Sequence, residues 1–163
     1  MDQDGQPIES LFKLYPWEWM VREEFGVHLP SSHVQFIEPA WKMLLSNKAL
    51  LVVLWELFPD HPNLLPAYYE PARLGTRYAC KPKLAREGAN VALVDAGRIE
   101  RADGPYDVHD CVYQALAPLA RFGDDHVSVG SWIVHGVPAG IGLREDESAI
   151  TRNTSRFVPH YFA

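Results

Sequence analysis

The first third of the chain has the hydrophobic spacing of helices. Residues 17–25 predict a helix that a proline opens and that Gly26 can end. A second helix is predicted over 39–45, and the Ser-Asn pair after it can cap a third helix over 48–58. The third segment is apolar almost all round, which predicts burial on most of its faces. We therefore expect residues 1–62 to be mainly helical.

From about residue 64 the spacing changes to the period of two that is typical of strands. Strands are predicted over 78–81, 90–95 and 110–116, and Ala96-Gly97 begins a hairpin turn after the second of these. A longer hairpin is expected from 127–134 and 139–144. Residues 63–163 should therefore be mainly antiparallel sheet.

These two halves predict an α+β fold, with N-terminal helices followed by an antiparallel sheet. One segment does not fit this description. Residues 8–15 read as a strand at a sheet edge, but no upstream segment is available to pair with it. An unpaired apolar edge is a liability for a soluble protein. Missing upstream sequence would explain it.

Composition indicates one globular domain. The chain has 163 residues, of which 47% are hydrophobic and 22% charged, as in ordinary soluble domains. The net charge of −6 argues against a surface for nucleic acid or an anionic membrane. A local basic cluster can still bind a phosphate.

The cysteines and the apolar runs indicate a reducing, cytoplasmic setting. Cys80 and Cys111 form neither a disulfide scaffold nor a zinc-ligand pattern. The N-terminus is acidic and polar, unlike a signal peptide, and the apolar run over 49–55 is too short to cross a bilayer. Four of the five tryptophans sit in apolar-periodic stretches, which favours the core for most of them.

The first candidate for chemistry is the segment 81–90. Lys81 ends one predicted strand, a basic loop with Gly88 follows, and the next strand then begins. A glycine lets backbone N–H groups approach phosphate oxygens closely, and a lysine at a strand end adds a point charge. On pattern alone, a solvated basic hairpin is the simpler interpretation.

Two further segments could take part. The alternating residues of 113–117 could offer backbone groups to an adenine edge, although any sheet edge has such groups. The charged segment 144–148 begins with an arginine that could stabilise a transferring phosphoryl group, and its acids could hold a metal. A charged turn is the simpler explanation there.

Several blocks of the sequence resemble the glutathionylspermidine synthase family and its acid–amine ligase relatives. They follow the family's order over nearly the whole chain and include long tryptophan-rich runs. The blocks are residues 12–20, 41–51, 81–82 with 86–90, 114–116 and 153–160.

This resemblance implies the C-terminal portion of an ATP-grasp domain over 1–163, in which two α+β halves clamp a nucleotide. It implies that Lys48 and Lys81 contact the phosphates or the adenine pocket of ATP. The other implied nucleotide contacts are a flexible phosphate loop of Glu87, Gly88 and Asn90, an adenine hinge of Gln114, Ala115, Leu116 and Ala117, and a border of Ala149, Ile150 and Thr151. Arg144 matches an arginine expected near the reacting phosphoryl group.

The family chemistry implied has two steps. A carboxylate, such as that of glutathione, takes the γ-phosphoryl of ATP, and an amine such as spermidine then displaces phosphate. Mg²⁺ would neutralise charge on the moving phosphates. The family's metal-binding acids lie upstream of the matched region, so the metal ligands within this chain are unknown, and Asp146 and Glu147 are weak substitutes.

Two functions are therefore expected from the sequence. The first is the nucleotide-binding portion of a carboxylate–amine ligase, possibly completed by a partner chain that carries the missing half of an incomplete fold. The second is a non-catalytic remnant or interaction module with weak or no ATP binding. The first requires the hairpin near Lys81 and the strand near Gln114 to face each other across a slot shaped for a nucleotide. An unrelated α+β domain is the remaining possibility.

Overall fold

A computed structural model describes residues 2–161 as an α+β protein with short helices and three separate sheets. Its helices are α1 Trp17–Met20, α2 Met43–Ser46 and α3 Ala49–Leu57, with 3₁₀ helices at Glu24–Ser31, Ala40–Lys42 and Pro71–Leu74. Its strands are β1 Ser10–Phe12, β2 Gln35–Ile37, β3 Ala67–Tyr68, β4 Arg77–Pro82, β5 Ala92–Asp95, β6 Arg98–Arg101, β7 Cys111–Ala115, β8 Ala120–Phe122, β9 Asp125–Val134, β10 Val137–Asp146 and β11 Arg156–Val158.

The central feature is a five-stranded antiparallel sheet in the order β3-β7-β4-β5-β6. In its middle, Ala79 of β4 pairs with Gln114 of β7, and Lys81 pairs with Val112. The connection from β5 to β6 is a two-residue turn at Ala96 and Gly97, whose φ angles of 48° and 90° suit a tight hairpin.

The second sheet has the order β11-β10-β9-β8, and its long hairpin is the one expected from the sequence. Val134 pairs with Val137 across a turn of His135 and Gly136, which have φ angles of 51° and 77°. Both turn residues are left-handed, as a type I′ hairpin turn requires.

The small core joins α3 to the edge of the five-stranded sheet. Val52 packs against Ala67 and Val112, and all three side chains are almost fully buried. Leu51 and Trp55 complete the cluster. This contact fixes α3 against strands β3 and β7.

Four expectations about local structure need correction. The first helix ends at Met20 instead of 25, and a 3₁₀ helix follows at 24–31. Helix α3 is not buried on most faces, since Val53 and Leu57 are 41% and 64% exposed. The strand near residue 8 does have a partner, because β1 pairs in parallel with the downstream β2.

The fourth correction concerns the tryptophans. Trp17 is buried and donates its indole N–H to the carbonyl of Glu38 at 3.3 Å. Trp19, Trp41 and Trp132 are exposed, so core burial does not hold for most of the five. Apolar periodicity identifies a side of an element, but it does not show whether another element covers that side.

Among residues 2–161, no helix has both the length and the apolar character that crossing a bilayer requires.

Candidate functional site

A cleft of about 860 Å³ lies on one face of the five-stranded sheet. Alternate residues of β4 reach it, namely Arg77, Ala79 and Lys81, because successive side chains on a strand point to opposite faces. The end of β7 and the segment 147–151 provide further walls. The cleft therefore lies between the central sheet and the chain that leaves the second sheet.

Nine of the thirteen predicted site residues line this cleft. They are Lys48, Lys81, Gly88, Ala115, Leu116, Ala117, Ala149, Ile150 and Thr151. Glu87, Asn90, Gln114 and Arg144 do not line it.

Two lysines provide the cleft with positive charge. Lys81 donates from Nζ to Oε1 of Gln114 at 2.7 Å, and Gln114 is itself buried. Burial, followed by the charge of Lys48, lowers the pKa of Lys81. Within residues 2–161 no carboxylate forms an ion pair with either lysine. A charge that is partly desolvated and has no counterion attracts an anion strongly.

Lys48 stands at the start of α3 and is tied to the loop after β4. Its backbone N–H donates to the carbonyl of Lys83 at 2.8 Å, and its ammonium donates to the carbonyl of Ala85. Burial and the neighbouring Arg86 lower the pKa of Lys48, while Glu18 opposes them. The loop and the lysine therefore hold each other in place.

The wider electrostatics of the cleft are also positive. Five Lys or Arg side chains line it, against three Asp or Glu side chains, although the whole chain carries a net charge of −6. Arg77 and Asp95 neutralise each other at 2.7 Å, and Glu100 accepts a hydrogen bond from Ser148 at 2.6 Å. Lys48 and Lys81, in contrast, have no carboxylate partner within residues 2–161.

Gly88 brings the loop after β4 against the opposite wall. It has a φ of 75°, and a Cβ there would lie 2.5 Å from the carbonyl oxygen of Thr151 and 2.9 Å from Cγ2 of Ile150. Only glycine permits this approach. The contact closes one end of the cleft.

The neighbours of Gly88 in the loop point elsewhere. Glu87 lines an adjacent depression of about 530 Å³ together with Trp19 and Arg101. Asn90 accepts from the backbone N–H of Tyr106 at 2.8 Å and so anchors the end of the loop. Both residues have positive φ angles, 56° and 55°, which reflects how tightly the loop turns.

The predicted hinge forms the apolar end of the cleft. Ala115, Leu116 and Ala117 line it beside Leu65. The N–H of Ala115 donates to the carbonyl of Pro66 at 2.8 Å, and that of Leu116 donates to the carbonyl of Arg77 at 3.4 Å. Because these two N–H groups are already used, the polar edge of a ligand at this segment meets carbonyl groups, or the backbone after residue 116.

Arg144 lies behind the cleft wall. Its guanidinium donates to the backbone carbonyl of Arg152 and stacks 5.0 Å from the ring centre of Phe157. Its Nε is buried and has no hydrogen-bond partner among residues 2–161.

Asp146 ends β10 and is held by the segment that follows this strand. Its carboxylate accepts from Arg152 at 2.6 Å and from the Ser155 hydroxyl at 2.6 Å, and the Arg152 hydrogen bond holds the pKa of Asp146 far below its usual range. Asp146 is therefore engaged within the protein.

The prediction that the Lys81 hairpin and the Gln114 strand face each other across a slot is wrong. β4 and β7 are hydrogen-bonded neighbours in one sheet, so the two segments lie side by side and do not face each other. Their shared face forms one wall, and residues 149–151 form the wall opposite. Sequence spacing alone does not reveal which strands pair.

Sequence reasoning missed several residues of the cleft. Arg77 and Asp95 were not predicted, although Arg77 stands four residues before Lys81 and must share its face of β4. That spacing was an available signal. Arg121 and His126 come from the second sheet, and no local pattern brings them to the cleft.

Among residues 2–161 there is no group of three or more His, Cys, Asp or Glu side chains that could hold a metal ion. The carboxylate donors that Mg²⁺ prefers are thus not gathered in this part of the chain.

Comparison with known proteins gives a consistent picture over the whole chain. Residues 1–163 match the family described as glutathionylspermidine synthase preATP-grasp. A provisionally named acid–amine ligase of Haemophilus influenzae is 46% identical over 99% of this chain and 44% of its own length. A trypanothione synthetase of Crithidia fasciculata is 30% identical over 97% of this chain and 28% of its own length. A bifunctional glutathionylspermidine synthetase/amidase of Escherichia coli is 27% identical over 98% of this chain and 30% of its own length. The chain thus spans less than half the length of each of these relatives.

Proposed function

The chain belongs to the glutathionylspermidine synthase preATP-grasp family, and on that basis we propose that its main cleft binds ATP for an ATP-dependent carboxylate–amine ligase. The observation that carries the proposal is the pair Lys48 and Lys81, two partly desolvated ammonium groups without a carboxylate partner among residues 2–161. The volume of about 860 Å³ falls in the range of pockets that hold small molecules. ATP has both an anionic triphosphate, which the lysines could bind, and a flat adenine ring, which an apolar surface could take.

The two ends of the cleft fit the two ends of ATP. Lys48, Lys81 and the loop at Gly88 would hold the phosphates, with Gln114 acting only by orienting Lys81. The apolar surface at Leu116 would take the adenine, whose edge would meet carbonyl groups or the backbone after that residue. The cleft draws residues from both larger sheets, which supports an ATP-grasp arrangement of two halves around a nucleotide.

The proposed chemistry is that of the acid–amine ligases to which the chain is similar. A substrate carboxylate oxygen attacks the γ-phosphorus, the bond from that phosphorus to the β-γ bridging oxygen breaks, and ADP leaves. An amine nitrogen then attacks the acyl carbon of the acyl phosphate, phosphate leaves with the electron pair, and the amine loses a proton. Glutathione-like acids and polyamine-like amines are the proposed substrate classes. No step is assigned to Mg²⁺, because residues 2–161 present no ligand cluster for it.

The role of this chain's residues is to bind, orient and exclude water. The loop over 83–91 covers the phosphate end, and excluding water there protects an acyl phosphate from hydrolysis. We propose that Arg144 stabilises the transferring phosphoryl group. Its unpartnered Nε supports a use beyond packing, although Arg144 does not line the cleft and would have to change its conformation to reach the phosphates.

A calorimetric titration of the chain with ATP, ADP, AMP and adenosine tests the binding site. The lysine pair predicts that affinity falls in that order, since each phosphate lost removes charge that Lys48 and Lys81 would meet. No heat at millimolar ATP would instead favour a non-catalytic interaction module. For Arg144, a ligase assay with Arg144→Ala should show turnover falling far more than ATP affinity. Equal losses would assign Arg144 a binding role only.

A further inference from the structure

Glu18 is the most buried carboxylate in the N-terminal part of the structure, at 4% exposure, and it does not line the cleft. Its Oε1 accepts from Nε and Nη2 of Arg86, at 3.1 and 2.6 Å, across 68 residues of sequence. Its Oε2 accepts from the Ser46 hydroxyl at 3.2 Å. Burial alone would raise the pKa of Glu18, but its own backbone N–H and Arg86 outweigh burial and lower it. The group is therefore an ionised carboxylate with fixed partners.

Arg86 connects this carboxylate to the phosphate end of the cleft. It stands in the loop after β4, immediately after Ala85, whose carbonyl accepts from the ammonium of Lys48. Two residues further along, Gly88 rests against Thr151. Holding the Arg86 guanidinium thus fixes both the acceptor that aims Lys48 and the glycine that closes the cleft.

Glu18 also balances charge next to the lysines. Arg86 lies near enough to Lys48 to disfavour the ammonium form of Lys48, and Glu18 acts in the opposite direction. Without the carboxylate, three cations would share this end of the cleft. Their repulsion would displace the Arg86 loop before any ligand arrived.

We propose that Glu18 is a positioning residue for nucleotide phosphates, acting through Arg86 to hold the loop over 85–88 and the head group of Lys48 in place. This inference rests on the proposed ATP site and adds to it a residue from outside the cleft. A carboxylate that served only as a fold anchor would be a poor choice, because packed apolar groups commonly do as well as a buried ion pair.

The test compares ligands with and without phosphates. In the full chain, Glu18→Gln should weaken ATP binding by about ten- to a hundred-fold, the value of a charge-assisted hydrogen bond. The affinity for adenosine, measured by NMR titration, should change by no more than about two-fold, because adenosine does not reach the phosphate end of the cleft. Arg86→Gln should reproduce both results, and the double variant should bind ATP no worse than the weaker single variant.

The control is Glu24→Gln, which removes the same charge from an exposed position a few residues later. Glu24→Gln should leave the affinities for ATP and for adenosine unchanged. The inference is overturned if Glu18→Gln weakens the binding of ATP and of adenosine equally. It is also overturned if the fold-losses in ATP affinity of Glu18→Gln and Arg86→Gln multiply in the double variant. Should Glu18→Gln not fold, Arg86→Gln serves as the test on its own, because the Arg86 side chain is 41% exposed and its replacement disturbs the fold less. An unchanged ratio of ATP affinity to adenosine affinity in Arg86→Gln then overturns the inference. A wild-type chain that binds no ATP overturns the proposed function first, and this inference with it.

Discussion

Lys81→Met removes the charge at the centre of the proposed ATP site and keeps an unbranched side chain of similar length. In the native protein the ammonium has Gln114 as its hydrogen-bond acceptor at 2.7 Å and no carboxylate partner in the part of the chain that the structure describes. A charge-assisted hydrogen bond to a phosphate contributes about 1.5–3 kcal/mol. The dissociation constant for ATP should therefore rise by about ten- to a hundred-fold.

Thermal unfolding with and without ATP measures this effect. At an ATP concentration of about 100 times the native dissociation constant, binding stabilises the folded chain by about 2.7 kcal/mol. For a domain of this size that raises Tm by about 5–11 °C. A hundred-fold weaker site would retain about 0.4 kcal/mol at the same concentration, which leaves a shift of about 1–2 °C.

Lys83→Met is the matched control, because it removes one positive charge two residues away. The Lys83 ammonium is paired with Asp110 at 2.6 Å and does not line the cleft. Its ATP-induced shift should stay close to that of the native chain. Equal losses of the ATP-induced Tm shift in the two variants would mean that ATP binding depends only on overall charge. A full ATP-induced shift in Lys81→Met would refute the assignment of Lys81 to the phosphates.

Three further predictions concern stability. Gly88→Ala should lower the free energy of unfolding in urea by about 1–3 kcal/mol more than Gly97→Ala, because both glycines have positive φ but only a Cβ at 88 would meet backbone, the carbonyl of Thr151 at 2.5 Å; equal costs would contradict the packing. Burial lowers the pKa of Lys48 and of Lys81 below the ordinary value of 10.5, so the folded chain binds fewer protons than the unfolded chain in the pH range just below 10.5. Relative to a chain carrying both Lys48→Met and Lys81→Met, the native chain should therefore gain stability in urea as pH rises through that range, while calorimetry shows its ATP affinity falling; a stability difference that does not change with pH would contradict the lowered pKa values. Asp146→Asn should cost about 1–3 kcal/mol at pH 7, because hydrogen bonds from Arg152 and Ser155 lower the pKa of this buried carboxyl. That stability is present above the unfolded value of 3.8 and is lost as pH falls below it, so denaturation at pH 3 should show a smaller difference, and a constant difference would argue against the ion pair.

Local signals in the sequence were sufficient for much of the sheet. The alternation around Lys81, the turn at Ala96 and Gly97, and the long hairpin expected from 127–134 and 139–144 all correspond to strands and hairpins of the structure, although the turn of the long hairpin is shorter than expected and contains only His135 and Gly136. Turn chemistry and strand period act over a few residues, so they can be read from neighbours in the chain. The position of α3 could be predicted for the same reason, since an apolar run bounded by a cap and a proline is a local signal.

Burial and helix length could not be read from apolar periodicity. The first helix ends at Met20, and Gly26 then lies against the carbonyls of Met20 and Val21, where a Cβ would lie 2.8 Å from either oxygen. The exposed faces of α3 and of Trp132 show the same limit. Whether an apolar face is covered depends on where other elements lie, and that is a property of the whole fold.

The sequence by itself determined the α+β class, the hairpins and the residue types that could hold a phosphate, because propensity and periodicity are properties of short segments. Only the tertiary structure decided that Lys48, just before a helix, and Lys81, in a strand, share one cleft, that β4 and β7 are neighbours in one of its walls, and that Glu18 reaches Arg86 across 68 residues. These contacts join segments that are distant in the chain, and the free energy that selects them comes from packing, desolvation and ion pairing between elements, which no single segment encodes.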